Sequence, residues 1–179
     1  MASFGMTIDL DYEFEDDVWT KWSHFCGGAI VGDNAIITAA HCFKTGHNSS
    51  TQIRVGDEYL NRLADDDLSQ IYDITTLVKH PDYDGFESDV AVVFTSKKID
   101  TNKNVKPLCL PTEPEMDEDI WSSNTVYLTG WGLIDEWETR ENDSLNEASL
   151  TVYPKSGCSN FYEDLTANIL CAGHEVCIS

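Results

Sequence analysis

Of the five histidines in the 179-residue chain, His41 is the one set for chemistry. It follows the apolar and small run Ile36-Ile37-Thr38-Ala39-Ala40 and stands directly beside Cys42. An imidazole changes charge near neutral pH, so it can act as a general base, a metal ligand or a packed core group. His80 precedes a proline and His47 lies in a polar loop, and both read as structural. A metal reading would gather His24, Cys26, His41 and Cys42, but their spacing fits no common zinc pattern. Cys26 and Cys42 instead flank two apolar runs joined by the turn Gly32-Asp33-Asn34, which returns the chain beside itself. A bridge there would close a loop of about 15 residues and contribute roughly 3 kcal/mol on the chain-entropy model. Cys158 and Cys171 offer a second, similar loop.

The segments that must position these groups are short and β-rich. They read "AIVGDNAIITAA", "TQIRVG", "IYDITTLVKH", "DVAVVFT", "NTVYLTG" and "ASLTVYP", with turn residues between them. Many short strands with few helical periods predict an all-β barrel or sandwich. Residues 9 to 17 carry six acids and no base, so residues 1–21 are read as an acidic lead-in. "PTEPEMDEDI", residues 111 to 120, is acidic, proline-bearing and apolar-poor, and is the linker candidate.

Charge narrows the partners. There are 32 acids against 11 bases, a net charge of −21, which repels phosphate backbones and anionic lipid. No nucleic-acid or membrane partner is expected, and no apolar run approaches the roughly 20 residues that span a bilayer. The amino terminus lacks the basic and apolar regions of a secretory signal, while six cysteines and the sequons at Asn48 and Asn142 point outward.

"HFCGGAIVGDNAIITAAHC" (residues 24–42) resembles the active-site histidine region of the chymotrypsin-like, or trypsin-like, serine endopeptidases. In the same order, "SDVAVVFTSKKI" resembles the segment that holds the triad aspartate, and "VKPLCLPT" the passage between two barrels. "TGWG" resembles an early strand of the second barrel, and "CSNFYEDLTANILCAG" a later disulfide loop. The resemblance runs from about Trp22 to Gly173. It implies two Greek-key β-barrels, the first over 22–111 and an incomplete second over 112–179. It assigns His41 as the base and Asp89 as its orienting carboxylate, with bridges Cys26–Cys42 and Cys158–Cys171.

The small residues before His41 let its ring lie close to the backbone, and Asp89 beside the apolar run Val90–Val93 is placed for partial burial. The acid-rich loop from Gly56 to Gln70 lies where some relatives bind calcium, with Asp57 and Asp67 as weak candidate ligands; otherwise no cofactor is expected.

The family's nucleophile belongs to a Gly-Asp-Ser-Gly-Gly motif, which this sequence does not contain. Cys177 fits the cysteine before that motif, but Ser179 is too close to it to be the nucleophile; Glu175 supports no substrate preference. No Ile-Val-Gly-Gly-like activation start precedes Cys26. Cys109 and Cys177 lack obvious partners, and Tyr127 stands where many relatives carry a bridging cysteine. The expectation is a partial record of a secreted endopeptidase acting on proteins or peptides, inactive as written. The alternatives are a non-catalytic homologue that binds substrates or partner proteases, and a product of aberrant splicing.

Overall fold

The computed structural model describes residues 1–10, 19–44, 50–60, 69–112, 124–133, 143–159 and 169–173. They form two compact units, Met1–Cys109 with Trp131–Leu145, and Leu110–Gly130 with Asn146–Ser179.

In the first unit six antiparallel strands close a barrel. They are β1 (Ala2–Leu10), β2 (Trp19–Ile30), β3 (Ala35–Thr38), β4 (Gln52–Val55), β5 (Gln70–Lys79) and β6 (Ala91–Thr95). Around the barrel they run β1-β2-β3-β6-β5-β4, and β1 pairs with β4 to complete the circle. Closure leaves no open strand edge, the hazard that a free sheet must manage otherwise. Alternation along the strands chooses what faces inward: Ile36 and Thr38 on β3, then Ala91, Val93 and Thr95 on β6. Ile36 and Val93 build one core with Phe4, Ile30, Phe43, Ile53, Val55, Tyr72, Ile99 and Val105.

The opening residues correct the sequence expectation. Residues 2–10 form a barrel strand rather than part of a solvated lead-in, and residues 19–21 open β2. Only the acids from residue 9 onward carry the charge that suggested solvation; Ala2, Ser3, Phe4 and Gly5 before them are all buried. Gly5 has a steric reason, because a Cβ there would lie 2.4 Å from the Ser23 carbonyl oxygen and 2.6 Å from the Trp22 ring.

A smaller cluster packs Trp22, Leu60 and Trp131 together. Trp131 donates its indole N–H to the Glu58 carbonyl, and the Leu60 amide donates to Asp143. These bonds bring 131–133 and 143–145 onto the 56–60 loop, a return that the sequence did not announce.

In the second unit β7 (Thr125–Gly130), β8 (Asn146–Tyr153) and β9 (Cys171–Gly173) form an antiparallel sheet in that order. One short helix, α1 (Lys155–Cys158), follows β8. Cys158–Cys171 joins that helix to β9 with Cα atoms 6.1 Å apart. Most of the linker expected at 111–120, Asn48, Asn142, Cys177 and Ser179 lie outside the described residues. Among the described residues no helix is long and apolar enough to cross a membrane.

Candidate active site

Strand β3 delivers His41. Inward-facing Thr38 donates its hydroxyl to the Gly27 carbonyl at 2.8 Å, fixing the strand end against β2. After extended Ala39 the chain tightens into a 3-10 turn, Ala40–Phe43. Ala40 and Phe43 are buried and pin the turn, with Phe43 meeting Phe4 and Phe25 edge to face at 5.4 and 5.9 Å. The Cys26–Cys42 bridge, with Cα atoms 6.2 Å apart, adds a covalent tie to β2. His41 is the residue of this turn that is left outward, its side chain 53% exposed.

Asp89 reaches it from the segment just before β6. One carboxylate oxygen lies 2.6 Å from His41 Nδ1, and the other accepts the His41 backbone N–H at 2.8 Å. Asp89 therefore grips the ring and the backbone of the same residue. The grip fixes a tautomer: with Nδ1–H donated to the carboxylate, Nε2 presents its lone pair outward as a proton acceptor. Desolvation pushes the Asp89 carboxyl upward. Bonds from the His41 ring and amide, the His41 charge and the Ala40 N–H outweigh it and hold the group below its ordinary value. The carboxylate is therefore ionised at neutral pH.

Local backbone shape aims Asp89. Ser88 carries φ of 54°, in the left-handed region that side chains other than glycine rarely occupy, and its carbonyl accepts the Val90 N–H at 2.7 Å. Just before it, Asp84 accepts the amides of Phe86 and Glu87 at 2.9 and 2.8 Å. Those bonds, Phe86 foremost, hold the Asp84 carboxyl below its ordinary value.

The remaining candidates fall elsewhere. Cys26, His41 and Cys42 lie close enough to share a metal ion, but both sulfurs are committed to the disulfide. Asp57 turns inward to an ion pair with Arg54, both side chains under 10% exposed. The Arg54 guanidinium in turn lies over the Trp22 ring at 5.8 Å. A calcium ion at Asp57 would have to displace a guanidinium from a buried pair, so this residue does not fit the ligand role expected of it. Asp67 lies outside the described residues. Sequence reasoning missed Ser88, Lys79 and Tyr83 around the His41–Asp89 pair; its one available signal was Ser88, a small residue directly before the aspartate.

Comparison with known proteins gives the same kinship. The family model described as Trypsin matches residues 9–178. Trypsin Blo t 3 of Blomia tropicalis is 31% identical over 160 residues, covering 86% of this chain and 57% of the relative. Clotting factor C of Tachypleus tridentatus is 27% identical over 168 residues, covering 86% of this chain and 16% of the relative. The solved structure of GrC superposes with a TM-score of 0.75 at 22% identity, over 97% of this chain and 70% of that one, a likeness of fold. The chain thus spans less than two thirds of the length of these curated relatives. A family match over almost every residue, on a closed barrel that carries a histidine gripped by an aspartate, leaves one conclusion: this chain belongs to the trypsin family of serine proteases.

Proposed function

We propose that this chain supplies the base and the orienting carboxylate of a serine endopeptidase. The observation that carries the reading is the double contact of Asp89 on His41. In the triad chemistry that the handling of protons requires, His41 Nε2 takes the proton of an attacking serine hydroxyl and later gives it to the leaving amine. Asp89 stays ionised throughout and stabilises the imidazolium. The nucleophile and the oxyanion-hole amides belong to a Gly-Asp-Ser-Gly-Gly segment that these 179 residues do not include. By itself the chain therefore hydrolyses nothing. Its substrates are proteins or peptides, and the bridges Cys26–Cys42 and Cys158–Cys171 suit an oxidising, extracellular setting. No calcium requirement is proposed, since Asp57 is held by Arg54.

The test has two arms. The 179-residue chain should release no burst from an activated ester. A version extended through a Gly-Asp-Ser-Gly-Gly segment, with a free Ile-Val-Gly-Gly-like start, should cleave peptides. Replacing His41 by alanine should then remove about six orders of magnitude in turnover, as loss of a triad base does. A well-folded extended protein that binds peptides without cleaving them would move the assignment to a non-catalytic binding homologue.

A further inference from the structure

His41 and Asp89 lie 48 positions apart in sequence and on different elements, so something must hold those elements in register. The hydrogen bonds between them are part of the answer, but exposed groups do not align themselves. Lys79, the last residue of β5, touches both segments. Its backbone pairs with Ala91 on β6, and the next amide, that of His80, donates to the Val90 carbonyl at 2.9 Å. That side of Lys79 is fixed one and two residues beyond Asp89. Its ammonium reaches the other way and donates to the carbonyl of Phe43, the last residue of the turn that carries His41. A carbonyl at a helical end has no partner within the turn, and a cation there is favoured by both hydrogen bonding and dipole.

The ammonium has a second neighbour. It sits over the ring of Tyr83 at 5.7 Å, where the face of the ring attracts a cation. Tyr83 is held in its turn by its own amide, which donates to the His80 carbonyl at 3.1 Å. Partial burial, then the charges of Asp89 and Asp84, raise the Tyr83 phenol above its ordinary value.

We propose that Lys79 is a positioning residue, a strut braced by Tyr83 that fixes the His41 turn to the strand that follows Asp89 and so keeps the imidazole on its carboxylate. It touches no reacting atom. The inference deepens the endopeptidase reading and rests on it for its purpose, while its geometry stands without turnover. Removing the ammonium leaves the turn held by buried Ala40 and Phe43 and by the Cys26–Cys42 bridge, and leaves the His41–Asp89 bonds without the tie between their two segments.

Backbone amide hydrogen exchange on the 179-residue chain tests it. In Lys79→Met, which keeps the stem and loses the ammonium, the His41 and Ala40 amides should exchange about tenfold faster, as local opening without global unfolding produces. The Ile36, Ile53 and Val93 amides should exchange as in the unaltered chain. Tyr83→Leu should give a smaller rise at the same amides, and Lys79→Arg should restore protection. Carbon-13 titration of the Asp89 carboxyl should move upward in Lys79→Met and return in Lys79→Arg. Unchanged exchange at His41, even with a shifted Asp89 titration, overturns the proposal and leaves only a through-space charge effect. A uniform rise at all amides overturns it too, since that marks a structural role. The exchange result is independent of catalysis, so an inactive extended protein would sink the endopeptidase reading and leave the strut standing.

Discussion

The two units use the same antiparallel chemistry and end in different conditions. In the first, six strands close on themselves and surround Phe4, Ile36, Ile53 and Val93, all fully buried. In the second, Val152 and Cys171 are the only buried apolar side chains among the described residues. Tyr127 and Leu128 are neighbours on β7 and so point to opposite faces, yet they are 66% and 64% exposed. Where β7 is bare on both faces it gains little from its hydrogen bonds alone, because water offers equivalent ones. Burial is thus concentrated in the first unit, and His41, Asp89 and Lys79 all lie on it.

Three measurements can break or sharpen that contrast. The largest effect should come from truncating the barrel core. Phe4→Ala should cost about 3–5 kcal/mol in urea unfolding, whereas Leu128→Ala should stay within about 0.5 kcal/mol. Comparable losses at the two sites would mean that the second sheet buries more than its exposure shows.

Next come the bridges. They span 16 and 13 positions, so each should contribute about 3 kcal/mol through the unfolded chain. The consequences should differ. Replacing Cys26 and Cys42 by alanine should lower the unfolding midpoint of the barrel while leaving one cooperative transition. Replacing Cys158 and Cys171 should abolish exchange protection in β8 and β9 and leave the amides of β1 to β6 unchanged. Loss of barrel protection in that second variant would show the two units to be energetically coupled.

The smallest effect concerns pH. Asp89 has a depressed folded value, so its contribution is present above the ordinary carboxyl value of about 3.9 and fades as pH falls through the folded one. Stability of the unaltered chain should exceed that of Asp89→Asn at pH 6, and the gap should narrow steadily below about pH 4. A gap that persists at pH 2 would assign Asp89 a packing role instead of an ionic one.

Much of this was legible in the residues. The six β-rich runs fall on β2 to β8, and the pairs Cys26–Cys42 and Cys158–Cys171 are formed. The motif that holds His41 and the motif that holds Asp89 do bring the two side chains together. What escaped notice depended on partners remote in sequence. β1 is a strand because β2 and β4 cover it, and nothing in "ASFGMTI" names them. Asp57 read as a candidate calcium ligand in an acid-rich loop; its neutralising Arg54 is only three residues away, but the burial of the pair depends on Trp22, far back in the chain. Lys79 drew no reading in the sequence; its meaning lies in a carbonyl 36 positions earlier.

Barrel closure also sets a timetable for making the protein. β1 pairs with β2, the next strand in sequence, but its other edge waits for β4, where Ala2 pairs with Val55 and Gly5 with Gln52. Contacts so distant along the chain are slow to form, since loop closure must be met before pairing rewards it. At about 5–20 residues per second of synthesis, the fifty or so residues between those partners take about 3–10 s to appear. For that interval the β4-facing edge of β1, Phe4 included, stays unpaired, and the nascent chain is open there to pairing with its neighbours on the same message.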